Sequence, residues 1–347
     1  MPNETTPKVL AVIAVTVLSL LNGHAQTRES FPVRDQKASP PKEAARPGTY
    51  PDKPIRFIVP SAAGGGADIY ARHLATELAS QMKQPFVVDN RASSGGVIGM
   101  QLLVKARADG YTLGFANLAY LAIGPALVPN LPYDVNRDIQ PIGQFTTGQN
   151  LLAAGLALPV QSVQELIAYA RSNPGKLSFG SAGNGSITHL SMEMFKLMTG
   201  TQIVHVPYKA IPQAITDMIG GQVHLIVDNV GSILPHVKAG RVRGLAVTGG
   251  VRSTVLPELP TIAEAGVPGY EVSTWTGMIA PEGLPMFIVA RLNAEIQRAC
   301  ASPALAARIA GIGGACATGS TEQFVDLVKR ERAKWADTVR RSGARID

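Results

Sequence analysis

"IRFIVPSAAGGGADIYARHLATEL", Ile55 to Leu78, passes from an apolar run through three glycines into a stretch with helical spacing. A buried strand that feeds a Gly-rich loop and a helix start is where open α/β sheets hold anions. The first N–H groups of the helix have no intrahelical acceptor, the positive end of the helix dipole faces the gap, and glycine lets a ligand approach the backbone. Gly64, Gly65 and Gly66 would equally serve a tight turn, so the rest of the chain has to choose between the two readings.

Beyond Leu78 the pattern alternates. "IRFIVP", "PFVVDN", "YTLGFA", "KLSFGS", "IVHVPY", "VHLIVDN" and "VRGLAVTG" read as strands. Helical spacing covers Asp68–Met82, with Leu74 and Leu78 on one face, then Gly96–Ala106 and Ser186–Met198. "SVQELIAYARSNPG" opens with Ser162 and Glu165 spaced as a capping box and stops at Asn173-Pro174-Gly175. Two long helices close the chain, about Pro285–Ala301 and Thr321–Ser342, the second capped by Ser320. Strands alternating with helices predict an α/β fold of mostly parallel sheets flanked by helices.

"LSFGSAGNGSITHLSMEMF" repeats the plan of the opening stretch, strand then Gly-rich loop then helix, about 120 residues later, roughly one domain's spacing. The two loops, Ser61–Asp68 and Ser181–His189, are therefore the candidate anion nests, facing each other from two lobes. The candidate ligand-binding residues are Ser61, Ala63, Gly64, Gly65, Gly66, Ala67 and Asp68 in the first loop. Those in the second are Ser181, Gly183, Asn184, Gly185, Ser186 and His189, and Asp228 joins them from the end of "VHLIVDN". Gly95 and Gly96 in "NRASSGGVIGM" precede another helix and form a third candidate loop. Blander roles stand beside these: Asp68 as a cap of its own helix, His189 bonded to a neighbouring loop, and Asp228 capping "VGSILPHV".

The chain has 347 residues, 46% apolar and 16% charged, which suits a globular protein of two lobes. The formal charge is +7, but the basic residues are scattered and no nucleic-acid site is expected. Lys8 followed by the apolar run Val9–Leu21, with Gly23 and Ala25 as small residues beyond, fits a signal peptide over residues 1–25 and a periplasmic protein. Residues 26–49 are polar and Pro-rich and read as a flexible tether. Cys300 and Cys316 match no metal spacing; in an exported protein they form either a disulfide or two thiols. No nucleotide P-loop, GxGxxG in the first loop, GxSxG elbow or HExxH is present. Ser186, His189 and Asp228 supply triad residue types, but Ser186 and His189 lie one helical turn apart without an elbow, so no enzyme, catalytic residue, metal or cofactor is expected.

"YPDKPIRFIVP…GGGAD", "VVDNRASSGG", "ADGYTL", "LPYDVNRDI", "HVPYKA", "GGQVHLIVDN", "LPHVKAGRVRGLAVT", "LPTIAEAGVPGYE" and the Trp275–Pro281 stretch together resemble the Bug family, the TctC-type periplasmic receptors of tripartite tricarboxylate transporters. The resemblance runs from Tyr50 to the last helix. It implies a two-lobed type II periplasmic-binding fold with a two-strand hinge: residues 50–150 with 270–347 as lobe 1, and 151–269 as lobe 2. It implies a monomeric solute-binding receptor that captures a small carboxylate (a di- or tricarboxylate, an acidic amino acid or an aromatic acid) and delivers it to membrane permease subunits. A receptor feeding a sensor kinase, or an exported hydrolase, are the alternatives. Asn90 and Arg91 match a family element expected to be structural. Ser61, Ala62, Ala63 and Ala67 stand where the family commonly has an aromatic residue, prolines and a threonine, so ligand choice does not carry over from relatives.

Overall fold

A computed structural model describes residues 49–345. The expected signal peptide and, save Thr49, the tether lie outside the described residues. The first half of the chain runs β1 (Ile55–Val59), α1 (Gly66–Met82), β2 (Phe86–Asn90), α2 (Val97–Val104), β3 (Thr112–Asn117), α3 (Gly124–Leu127), β4 (Ile139–Gly155), α4 (Val163–Ser172), β5 (Leu177–Ser181) and α5 (Ile187–Thr199). There follow β6 (Ile203–Pro207), α6 (Ile211–Ile219), β7 (Leu225–Asn229), α7 (Val230–Lys238), β8 (Val242–Val247), β9 (Ser273–Pro281), α8 (Met286–Cys300), α9 (Pro303–Gly311), β10 (Gly314–Cys316) and α10 (Thr321–Ser342).

Local signals account for most of these limits. Ser320 accepts from Gln323 N–H while Gln323 returns a bond to the Ser320 backbone, so α10 begins where its capping box lies. Ser162 caps α4 by accepting from Glu165 N–H, but the Glu165 carboxylate reaches Gln161 N–H, one residue before the reciprocal position. In β1, Ile55, Phe57, Ile58 and Val59 are all buried, as expected for a strand covered on both faces. Leu74 and Leu78 of α1 are buried on the same helix face.

The strands form one sheet in the order β2-β1-β3-β9-β4-β7-β5-β6, with β8 and β10 also paired to β4. The outer pairs β1–β2, β1–β3, β5–β6 and β5–β7 are parallel, as the alternating pattern predicts. The centre is antiparallel: β9 runs against β3 and β4, and β4 runs against β7, β8 and β10. The expectation of mostly parallel sheets therefore holds for the flanks and not for the middle. The chain crosses once on β4 and returns on β9, and two crossing strands side by side must run in opposite directions.

β4 is the element that joins the halves. Its residues 139–149 pair with β9, from Ile139 opposite Pro281 to Gln149 opposite Ser273. From Asn150 onward it pairs with β7 and β8 instead. Residues on both sides of this switch pack as one compact unit. Helix α10 packs on both β4 and α5 and so touches elements on either side of the switch.

Candidate functional site

At the strand crossing lies a cavity of about 250 Å3. Thr146, Thr147, Gly148 and Asn150 of β4 line it, together with Thr274, Trp275 and Thr276 of β9. The first two turns of α1 contribute Gly66, Ala67 and Tyr70, and the other half contributes Ile187, Asp228 and Asn229. Larger hollows exist, of about 340 Å3 beside α4, about 490 Å3 between α7 and the Gly249–Val255 loop and about 440 Å3 between α1 and β2, but none of them is lined by a predicted site residue. The crossing cavity is the candidate because a helix start, buried donors and a buried acid converge on it.

The α1 side is built as the opening motif requires. Gly65 is the N-cap and gives no side-chain cap; the first helical bond is Ile69 N–H to Gly65 O at 3.0 Å. The N–H groups of Gly66, Ala67 and Asp68 therefore have no acceptor within the helix. Gly64 sits at φ +79°, which only glycine adopts without strain, and this turns the loop into the helix. Asp68 is spent inside the loop. Its carboxylate accepts from Gly64 N–H at 2.8 Å, Arg72 Nε at 2.9 Å and Asn90 Nδ2 at 3.0 Å. Burial alone would raise its pKa, but these three bonds outweigh that and hold the carboxyl below its ordinary value. Asn90 also donates to Ser61 O at 3.2 Å, so Asn90 and Asp68 together brace the loop that carries Ser61, Ala63 and Gly64. Arg91 pairs with Asp89, away from this contact.

The second loop closes on itself. Gly183 N–H donates to Ser181 Oγ, Ala182 N–H to Thr188 Oγ1, Gly185 N–H to His189 Nδ1 and Ser186 N–H to Gly183 O. Gly183 and Gly185 take φ of +100° and +73°, the left-handed turns that make this closure available. Ser186 caps α5 by accepting from His189 N–H and donates its own hydroxyl to Gly183 O at 2.7 Å. His189 stacks on His205 with ring centres 3.9 Å apart, and His205 Nε2 meets Ser181 Oγ at 2.6 Å. Burial, helped by His189, pushes the His205 pKa down to about 4, so this imidazole is neutral at ordinary pH. Of α5, Ile187 lines the cavity, whereas Ser181, Gly183, Asn184, Gly185, Ser186 and His189 stand back from its lining. In the second loop local acceptors take the N–H groups of Ala182, Gly183, Gly185 and Ser186, whereas the first N–H groups of α1 have no acceptor within the helix. Of the first loop, Gly66 and Ala67 line the cavity, and Ser61, Ala63, Gly64, Gly65 and Asp68 stand back from it.

Asp228 reaches the cavity from the end of β7. Burial raises its pKa to about 6, partly offset by hydrogen bonds from the Asn229 backbone and the Ser232 hydroxyl. No Lys, Arg or His lines the cavity among the described residues. Sequence reasoning missed Asn150 and Trp275, whose Nδ2 and Nε1 are buried without a partner among the described residues. It also missed Thr146 and Thr276, which bond each other across β4 and β9 at 2.6 Å. The available signal was the run of polar residues inside an otherwise strand-like stretch, "QFTTGQNLLAAG".

Two α/β halves joined by antiparallel crossing strands, with a helix start opening on a cavity at the crossing, define the type II fold of solute-binding receptors. The chain matches the tripartite tricarboxylate transporter family receptor over residues 70–344, and it belongs to that family. Protein BugT of Bordetella pertussis (strain Tohama I) is 38% identical over 299 residues, 86% of this chain and 92% of BugT. Rpa4515 of R. palustris, solved with adipate, has a TM-score of 0.73 at 37% identity, covering 85% of this chain and 99% of that one. MatC of Rhodopseudomonas palustris, solved with bound malate, has a TM-score of 0.69 at 30% identity, covering 84% of this chain and all of that one (100%). The expected family and fold are borne out.

Proposed function

We propose that this protein is a periplasmic receptor, without catalytic activity, that closes two lobes around a small carboxylate and passes it to membrane permease subunits. Lobe 1 comprises residues 50–150 with 270–347 and lobe 2 residues 151–269, the hinge lying where β4 changes partners and β9 returns. The observation that carries this reading is the start of α1, whose free N–H groups at Gly66 and Ala67 open on a cavity without a cationic side chain. Adipate and malate in two relatives support a carboxylate as the ligand class. Closure would exclude water and strengthen each hydrogen bond to the anion.

A hydrolase reading finds no support in Ser186. Its hydroxyl donates to a carbonyl, and His189 Nδ1 already accepts from Gly185 N–H. The test is a thermal-shift panel of dicarboxylates, tricarboxylates, acidic amino acids and aromatic acids. A ligand at a hundred times its Kd adds about 2.7 kcal/mol, roughly 5–10 °C at this size. Selective stabilisation by one class of acid is expected. The proposal fails if no acid raises Tm and mass spectrometry of the denatured protein finds no copurified acid.

A further inference from the structure

Asn150 and Trp275 are each 2% exposed and both line the crossing cavity. Asn150 is the first residue beyond the partner switch on β4, and Trp275 lies on the adjoining β9, opposite Thr147. Neither Asn150 Nδ2 nor Trp275 Nε1 meets an acceptor among the described residues. A buried N–H left without an acceptor is costly, and native structures rarely tolerate it. A ligand oxygen that reached both donors would supply the acceptor each lacks. The other unpartnered buried atoms, Gln149 Oε1 and His236 Nδ1, belong to residues that do not line this cavity.

The charges around the cavity are lopsided. The α1 start offers a positive dipole end, which suits one carboxylate. Asp228 is the single acidic side chain in the lining, and no cation stands beside it there. A second ionised carboxylate brought into so small a space would meet like charge with no cationic side chain in the lining to offset it. Tyr70, Leu118 and Ile187 supply apolar wall between these features.

Resting on the receptor reading above, we infer that the ligand is a monoanion: its carboxylate sits at the first turn of α1, its body is apolar, and a neutral oxygen is held by Asn150 Nδ2 and Trp275 Nε1, while Asp228 rejects a second ionised carboxylate. Asn150 and Trp275 are thus ligand-binding residues, and Asp228 is a charge filter. A diacid enters with one carboxyl protonated or as a half-ester or half-amide.

Isothermal titration at pH 7.5 tests this with two matched series: adipate, monomethyl adipate and hexanoate; terephthalate, monomethyl terephthalate and benzoate. In at least one series the half-ester should bind at least about tenfold tighter than the diacid and than the acid lacking a distal oxygen. Asn150→Leu and Trp275→Phe should remove the half-ester's advantage over the simple acid. Asp228→Asn should raise diacid affinity by about tenfold. Trp275 packs edge-on against Phe324, so Trp275→Phe is read only if its circular dichroism matches wild type; Asn150→Leu leaves that packing intact and decides the matter alone. A diacid that binds as tightly as its half-ester, with Asn150→Leu indifferent to both, overturns this inference and leaves the receptor reading standing. Binding by no member of either series also overturns this inference, while the receptor reading falls only if the wider acid panel and the search for a copurified acid fail as well.

Discussion

Replacing Asp228 with Asn should make the protein more stable at neutral pH, and the size of the effect follows from its surroundings. The carboxyl's pKa is pushed from 3.8 up to about 6 by burial, with only the Asn229 backbone and Ser232 as partners. That rise corresponds to about 3 kcal/mol of differential stability between the protonation states. The folded pKa is the higher one, so the native state binds the proton more tightly than the unfolded chain. Wild-type stability is therefore fully present below about pH 4, declines as pH rises toward about 6, and carries the whole penalty above that. Asn cannot ionise and keeps a carbonyl oxygen as acceptor. Urea unfolding at pH 4.5 and pH 7.5 should show the variant about 1 kcal/mol more stable than wild type at the lower pH and about 3 kcal/mol more stable at the higher. Parallel wild-type and variant stabilities across this range would refute the claim that Asp228 is buried without a counter-charge. A carboxylate retained at such a cost inside the cavity is consistent with action on the ligand.

Other perturbations separate binding from stability. Gly66→Leu should abolish the ligand-induced rise in Tm and change unliganded stability by only about 0.5 kcal/mol, because no atom lies within 4 Å of a Cβ built there; unchanged ligand binding in a thermal-shift assay would remove the α1 start from the site. Asp68→Ala should cost about 3 kcal/mol by urea unfolding, since Gly64 N–H, Arg72 and Asn90 all lose their acceptor. The folded pKa of Asp68 is depressed, so its contribution is present above the ordinary carboxylate range and is lost as pH falls through the folded value. Cys300 and Cys316 are free thiols that interact with each other, and Cys300 Sγ donates to Phe145 O. Protein purified from the periplasm without reductant should hold a disulfide formed by exchange with a thiol oxidoreductase. Reduction should add two hydrogens to its mass and lower stability by about 3 kcal/mol for a loop of ~16 residues. Two freely titratable thiols in that sample would refute the pairing.

The sequence by itself determined the parts whose causes are local. Apolar runs marked β1–β3 and β5–β8, the Ser320 capping box marked the start of α10, and the glycines at 64–66 marked the loop that presents the α1 start. These features depend on a few neighbouring residues, and family-like motifs in the same stretches pointed to the fold. The tertiary structure alone decided the middle of the sheet. β4 and β9 are antiparallel strands brought together from positions more than a hundred residues apart, and their Thr, Gly and Asn content carries no clean alternation. The same distance hid Asn150 and Trp275, which are ordinary strand residues until the crossing buries their N–H groups beside one cavity. Conversely, the second Gly-rich loop looks like the first in sequence. Whether its N–H groups face a ligand or each other depends on where Ser181, Thr188 and His189 place their side chains, and that is settled by packing against His205 and the sheet.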